Sequence, residues 1–218
     1  MSLRRSAPAF LLVLLLAAPS CAGDKGSGVD DVLIRLEKSV SSIKTLSASF
    51  VQRKNMAAFS HAIEMSGKVY IQKPSTLAWH VREPIRYSVL ITDSLIRQWD
   101  EETDQVHEIS LSGNPMLGAV LEQMTVWFSG RYTSLKKDYD VRLSGRAGGP
   151  VALVFTPREH NIASRAIRSV SVELSKDERY LSRIEIIEAG GDTTTIEFKD
   201  TVFDIPLDSK ALEVKGSV

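Results

Sequence analysis

The residues that could perform chemistry are scattered along this chain without a recognised spacing. The histidines lie far apart, and none belongs to an H-E-x-x-H pair or pairs with a cysteine as a metal site would require. They are His61, His80, His107 and His160. The sequence contains no G-x-S-x-G elbow, no P-loop and no G-x-G-x-x-G loop.

Adjacent carboxylates are the remaining candidates for acid–base chemistry. Asp100, Glu101 and Glu102 are consecutive, but their neighbours are polar, as in a solvated turn. Together with the missing motifs, this pattern predicts a protein that is not an enzyme and needs no cofactor and no metal.

Cys21 is the only cysteine and follows an export signal. The stretch MSLRRSAPAFLLVLLLAAPSCAGDKG has a basic start, an apolar core from Ala9 to Ala18 and small residues after it. That core is shorter than the roughly 20 residues of a membrane span. We predict a signal peptide over residues 1–22 and a periplasmic mature protein. The alternative is a lipoprotein signal over residues 1–20, with lipid on Cys21 and anchoring at the outer membrane.

The length and the net charge limit which domains and partners the mature chain can have. The sequence has 218 residues, of which 43% are hydrophobic, and this suits one domain over residues 29–218 after a flexible linker at 23–28. Lys plus Arg and Asp plus Glu both total 27, so the net charge is zero. No global field attracts nucleic acid, and we expect a monomer.

Two segments have helical periodicity. The first has Asp30 and Asp31 where an N-cap would stand, with apolar residues at steps of three and four: Val29, Val32, Leu33, Leu36, Val40 and Ile43. The second opens at Asn114-Pro115 and carries a broad apolar stripe: Leu117, Val120, Leu121, Met124, Trp127 and Phe128.

Most of the remaining chain alternates with a period of two, which predicts strands. The first sets are Leu46, Ala48 and Phe50, then Val69 and Ile71, then Leu77, Trp79 and Val81, then Ile85, Tyr87, Val89 and Ile91. Pro74, Pro84 and TDS at 92–94 mark turns. Later strands are expected at YDVRLSG, PVALVF, RSVSVELS, YLSRIEII and TTTIEF.

The number of strands determines the predicted architecture. About ten strands at about 4.8 Å spacing make a sheet nearly 50 Å wide, whereas a helix covers a strip of about 10 Å. Two helices cannot cover such a sheet if it is flat. We therefore predict an α+β, mainly β fold in which a strongly curved antiparallel sheet forms an unclosed barrel with helices as plug or lid.

Several short motifs in one order resemble the LolA family of periplasmic lipoprotein carriers. A helix is followed by TLSASFVQRK, then by SGKVYIQKPSTLAWHVREP, then by YSVLITDSLIRQWDEETDQV, in which a tryptophan precedes an acidic turn. The resemblance spans Val29 to about Leu121. The segment after Pro206, DSKALEVKGSV, departs from the phenylalanine-rich strand and the proline-glycine tail of well-characterised members. We therefore expect a divergent member, and a dedicated glycolipid or pigment-lipid pathway is an alternative to bulk lipoprotein traffic.

The resemblance implies an apolar cavity for acyl chains, closed by a helical lid. Strand and helix positions matching the family predict the cavity and lid residues: Phe50, Val69, Ile71, Leu77, Trp79, Val89, Ile91, Leu117, Leu121, Met124 and Trp127. Strand periodicity alone does not tell which face turns inward. Lys73 stands before the proline where members commonly have an arginine that helps to hold the lid closed. Lys73 keeps the charge but not the planar donor fork.

These features predict a carrier that moves acylated cargo, a lipoprotein or a glycolipid, from an inner-membrane donor transporter to an outer-membrane acceptor. Two alternatives stay open. One is a lipid-anchored acceptor of the same fold at the outer membrane. The other is an envelope sensor or regulatory module that binds lipid or a protein partner.

Overall fold

The structure, a computed structural model, describes residues 28–111, 130–145 and 149–214. Helix α1 spans Val29–Ser41, and short 3-10 helices span Tyr132–Lys137, Ile162–Arg165 and Ser209–Leu212. No helix of the described residues is long and apolar enough to cross a membrane. The strands are β1 (Thr45–Asn55), β2 (Ile63–Gln72), β3 (Thr76–Glu83), β4 (Tyr87–Ile91), β5 (Leu95–Asp100), β6 (Val106–Ser110), β7 (Tyr139–Leu143), β8 (Ala152–Pro157), β9 (Ile167–Leu174), β10 (Leu181–Glu188) and β11 (Thr193–Phe203).

All eleven strands form one antiparallel sheet, in the order β6-β5-β4-β3-β2-β1-β11-β10-β9-β8-β7. Strands β6 and β7 are its two edges and do not pair with each other, so the barrel is unclosed, as the sequence predicted. The helix expected over residues 115–128 lies outside the described part of the chain. Ile85, expected within the fourth strand, precedes β4 and is exposed.

Helix α1 begins earlier than its aspartates suggested. Gly28 is the N-cap, and the Asp31 carboxylate accepts a hydrogen bond from the Gly28 amide at 3.2 Å. Asp30 and Asp31 therefore lie in the first turn, where negative charge is favourable to the helix dipole. The helix ends at Ser41, and Ile43 is buried just beyond it.

The inner face of the sheet is covered in two ways. Over strands β7 to β10, helix α1 inserts its apolar stripe into the main core, where Leu33 and Leu36 are buried with strand residues such as Leu153 and Phe155. This half of the sheet has a helix packed against it, as in ordinary α+β domains.

The other half is filled by its own aromatic side chains. The Phe50 ring (β1) stacks on the Trp79 ring (β3), with ring centroids 4.0 Å apart, and Trp79 also meets Phe198 (β11) at 6.4 Å. Strands β3 and β11 are three places apart in the sheet, about 14 Å in a flat sheet. Contact between their rings therefore shows strong curvature. Gly67 (β2) pairs with Phe50 and has no side chain to obstruct its ring.

The outer face of strands β3 to β5 is also buried, which the sequence did not reveal. The C-terminal segment packs Val214 against Ala78, Leu90 and Trp99. His80 (β3) lies fully buried beneath it.

The hydrogen bonds of His80 determine its tautomer. His80 Nε2 lies 2.9 Å from the Ala211 carbonyl oxygen, and Nδ1 lies 2.9 Å from Ser88 Oγ. Because a carbonyl only accepts, the neutral ring donates from Nε2 and accepts at Nδ1. Burial lowers the pKa of His80, the bond to Ala211 opposes this change, and Arg82 adds to the lowering.

Gly67→Ala tests the close approach of β2 to β3. A Cβ at this position would lie 1.8 Å from the His80 carbonyl oxygen, so the backbone must move. We expect the free energy of unfolding to fall by about 3 kcal/mol, measured by urea denaturation with tryptophan fluorescence. Gly190→Ala, where a Cβ has open space, is the matched control and should be near neutral. Equal stability of the two variants would contradict this packing.

His80→Gln tests the buried histidine through the pH dependence of stability. Because the folded-state pKa of His80 is lowered, the unfolded chain binds the extra proton first. The contribution is therefore fully present above the unfolded pKa of about 6.5 and is lost as the pH falls from there through the folded pKa. Below pH 6.5 we expect the stability of the wild type to fall more steeply than that of His80→Gln, by at most about 1.4 kcal/mol per pH unit. Parallel curves in urea titrations would refute this expectation.

Candidate functional site

An apolar cavity lies where the helix-covered half of the sheet meets the aromatic half. It is partly open to solvent and is lined by the C-terminal end of α1, the 3-10 helix at Tyr132 and strands β1, β2, β10 and β11, and its volume is about 80 Å³. Its lining is largely aliphatic and aromatic, with a few polar and basic residues: Val40, Ile43, Lys44, Thr45, Leu46, Ala48, Val69, Ile71, Lys73, Tyr132, Arg179, Tyr180, Leu181, Ile184, Phe198 and Thr201.

Lys73 fastens the end of helix α1 to the sheet at the edge of this cavity. Its ammonium donates a hydrogen bond of 2.5 Å to the Val40 carbonyl oxygen, and its backbone amide donates to the Lys44 carbonyl oxygen at 2.9 Å. The last carbonyls of a helix lack partners within the helix and favour a cation. Burial lowers the pKa of Lys73, and the negative charge of Asp204 opposes this change.

The start of β1 is tied to the end of β11 at the same edge. The Lys44 amide donates to the Asp204 carboxylate at 2.7 Å, and the Thr45 hydroxyl donates to the Ile205 carbonyl oxygen at 2.7 Å. These bonds fix the strand ends that line the cavity.

The turn between β9 and β10 supplies the opposite part of the lining. The Arg179 guanidinium lies over the Phe203 ring, 5.0 Å from its centroid, and the Tyr180 ring lies 5.5 Å from the same ring. Such stacking holds a cation over an aromatic face. Both side chains are thereby positioned at the cavity.

Tyr132 closes the cavity beneath helix α1. Glu37 accepts hydrogen bonds from the amide (2.6 Å) and the hydroxyl (2.8 Å) of Thr133, which fixes this 3-10 helix against α1. Gly130 has a φ of +83°, and a Cβ there would lie 2.8 Å from a Val40 methyl group. Burial, and to a lesser extent Glu37, raises the pKa of the Tyr132 phenol, so its hydroxyl stays neutral.

The residues predicted from the sequence occupy several places. Val69, Ile71 and Lys73 line the cavity. Four others belong to or pack against the aromatic cluster beside it: Phe50, Leu77, Trp79 and Ile91. Val89 is half-buried on β4, opposite Trp79 on β3. The remaining predicted residues lie outside the described part of the chain: Cys21, Leu117, Leu121, Met124 and Trp127.

Sequence reasoning missed the lining from the second half of the chain. Tyr180 and Ile184 belong to the strand pattern YLSRIEII, and Phe198 belongs to TTTIEF. The alternation of apolar and polar residues in these two patterns was visible in the sequence. Their position became clear only because β11 pairs with β1, some 150 residues earlier.

The chemistry of this arrangement is burial of apolar surface. Among the residues that the structure describes, no three His, Cys, Asp or Glu side chains are grouped to hold a metal ion. Glu101 and Glu102 are exposed in the turn after Asp100, the last residue of β5; Thr103 donates to Asp100, and Arg86 forms an ion pair with Glu101.

Comparison with known proteins identifies the family. Residues 41–215 match the family model of the outer membrane lipoprotein carrier protein LolA. An outer-membrane lipoprotein carrier protein of Azotobacter vinelandii is 21% identical over 203 residues, which cover 93% of each chain. One from Pseudomonas fluorescens is 21% identical over 169 residues, 78% of this chain and 77% of that protein.

Solved structures share the fold at low identity. An uncharacterised conserved protein from Thermus thermophilus has a TM-score of 0.54 at 12% identity, over 86% of this chain and 94% of that one. MucB has a TM-score of 0.52 at 17% identity, over 86% of this chain and 62% of MucB. Since the family model matches most of the sequence, this chain is a divergent member of the LolA family of outer membrane lipoprotein carrier proteins.

Proposed function

We propose that this protein is a non-enzymatic periplasmic carrier, which binds acyl chains in the cavity between helix α1 and the curved sheet. The observation that supports this proposal is the cavity itself. Most of its lining is apolar, and it lies inside an unclosed barrel of a lipoprotein carrier family. Each methylene moved from water into such a site contributes about 0.8 kcal/mol. A chain of ordinary length therefore supplies enough affinity without any polar contact.

The cavity must expand to admit a ligand. Its volume of about 80 Å³ is several times smaller than the roughly 300–1,000 Å³ of typical ligand pockets. Uptake then requires the C-terminal end of α1 to separate from β1 and β2. The proposed lid over residues 115–128 would contribute through Leu117, Leu121, Met124 and Trp127.

The proposed route begins with export. A signal peptide over residues 1–22 sends a single domain, residues 29–218, to the periplasm. There the protein acts as a monomer between an inner-membrane donor transporter and an outer-membrane acceptor. The alternative, a lipid on Cys21, would make the same domain an anchored acceptor, and blocking the lipoprotein signal peptidase would then change its processing.

One observation favours a second candidate function. MucB shares this fold over 86% of the chain, which supports an envelope sensor or regulatory module that binds lipid or a protein partner. Such a module could keep its barrel filled by its own side chains. Ligand binding in the cavity therefore separates the two functions.

Ala48→Leu tests the carrier function. Ala48 is buried on the inner face of β1 and lines the cavity, so the larger side chain occupies the space that the ligand needs. We expect at least tenfold weaker binding of the fluorescent fatty acid cis-parinaric acid, with a melting temperature equal to or above that of the wild type.

Ala58→Leu is the matched control, because Ala58 is exposed in the connection between β1 and β2. It should bind cis-parinaric acid as the wild type does. Unchanged binding by Ala48→Leu would show that this cavity is not the acyl site. A wild type that neither binds the probe nor yields an acylated species to mass spectrometry would favour the regulatory module.

Lys73→Met tests whether the bond to the helix end controls access. Methionine keeps the apolar stem but removes the donor to the Val40 carbonyl oxygen. We expect cis-parinaric acid to associate several-fold faster in stopped-flow fluorescence, while Lys73→Arg, which keeps a donor, associates at close to the wild-type rate. If the rate for Lys73→Met is unchanged, Lys73 does not control entry.

A further inference from the structure

We propose that the ligand carries an anionic head group, a carboxylate or a phosphate, which the basic side chains at the cavity bind while its acyl chain enters. This inference rests on the proposed carrier function and names the class of cargo. The observation behind it is that the charged residues of the cavity lining are all positive. Lys44, Lys73 and Arg179 line an otherwise largely apolar cavity, and none of its described lining residues is an aspartate or a glutamate.

Two of these cations have no ion-pair partner in the part of the chain that the structure describes. The Lys44 ammonium has no carboxylate within ion-pair distance, and only its backbone amide bonds to Asp204. Arg179 lies over Phe203 and attracts Asp177 without forming an ion pair with it. Both side chains are exposed, so they are available to a head group at the cavity mouth.

Lys73 supplies the third positive charge on the same lining. It donates to the Val40 carbonyl oxygen, and Asp204 is the acid whose charge acts on it. An ammonium has three donors, so binding to Val40 does not exhaust its capacity. An anion that binds here would compete with the helix end for Lys73.

A buried hydroxyl adds a neutral donor to the site. Thr201 lines the cavity, and its Oγ1 is buried without a hydrogen-bond partner among the described residues. Leaving a buried hydroxyl unpaired is unfavourable, and such groups in native structures usually have a partner. A head-group oxygen would supply that partner.

An uncharged lipid would not use these groups. A neutral alcohol or ester accepts hydrogen bonds but gains little from several positive charges, whereas a carboxylate or phosphate forms charge-assisted bonds. The arrangement therefore fits an amphiphile with an anionic head group better than a neutral acyl glyceride. A free fatty acid and a phosphate-bearing lipid share this chemistry.

The experiment compares three ligands of equal chain length at pH 8: dodecanoic acid, dodecyl phosphate and 1-dodecanol. Each is titrated calorimetrically into the signal-cleaved protein below its aggregation limit. We expect at least one of the anionic ligands to bind tenfold or more tightly than the alcohol. The preference should shrink as salt is raised, because exposed cations are screened. The tighter of the two anions identifies the head group.

The double variant Lys44→Gln/Arg179→Gln should lose this preference, so that the anionic ligands bind it about as weakly as 1-dodecanol does. The control Lys137→Gln/Arg165→Gln removes the same charge from exposed residues that do not line the cavity, and should keep the preference. Thr201→Val, which removes only the hydroxyl, should weaken binding of the preferred anion severalfold.

The outcomes separate this inference from the function on which it rests. If all three ligands bind equally, the carrier function stands and the anionic head group is refuted. Loss of the preference in the control variant as well would assign it to overall charge and overturn the site. If none of the ligands binds the wild type, the carrier function itself fails.

Discussion

The inner face of an eleven-stranded sheet has more apolar surface than one α-helix can cover, and the fold follows from this constraint. Helix α1 covers strands β7 to β10 and packs Leu33 and Leu36 into the main core. Beyond the helix, curvature brings aromatic rings from non-adjacent strands together, as with Trp79 and Phe198. The cavity lies at the boundary between the helix-covered part of the sheet and the part filled by aromatic rings, because neither the helix nor the rings fill it.

The cavity has a sheet side and a helix side, and each is held by its own contacts. On the sheet side, Ala48 of β1 and Val69 of β2 line the cavity and are buried in the aromatic cluster, so the sheet side is a packed wall. The end of α1 is held at the cavity by the bond from Lys73 to Val40, by the bonds from Thr133 to Glu37 and by the burial of Ile43. An exposed pair between Arg35 and Glu178 contributes little.

The basic residues of the cavity are separated from its apolar lining. The inside of the cavity is aliphatic and aromatic, whereas its basic residues come from strand ends and turns. The side chains of Lys44 and Arg179 reach water and retain their charge at little cost, which a position deep in the barrel would not allow. The site is thus amphipathic along its length, like the ligands that a lipid carrier transports.

Local pattern was sufficient to predict much of the architecture. Period-two alternation placed Phe50, Val69 and Leu77 on one face, and the pairing of Phe50 with Gly67 and of Ile71 with Leu77 is consistent with that placement. The excess of strands over helices predicted an unclosed barrel, since area and helix width follow from counting alone. The start of α1 was missed, because a carboxylate in the first turn and one at the N-cap look alike in sequence.

The sequence by itself determined the class of fold, the family and the apolar inner strands, because these depend on periodicity and on motifs close together in the chain. Only the tertiary structure decided which residues meet at the cavity. The pairing of β1 with β11 brings Phe198 and Thr201 beside Ala48, and the path of the chain brings Lys73 to the end of α1. The burial of His80 was also decided there, because its cover comes from residues about 130 positions later. Contacts at such separations depend on strand order and curvature, which no local pattern specifies.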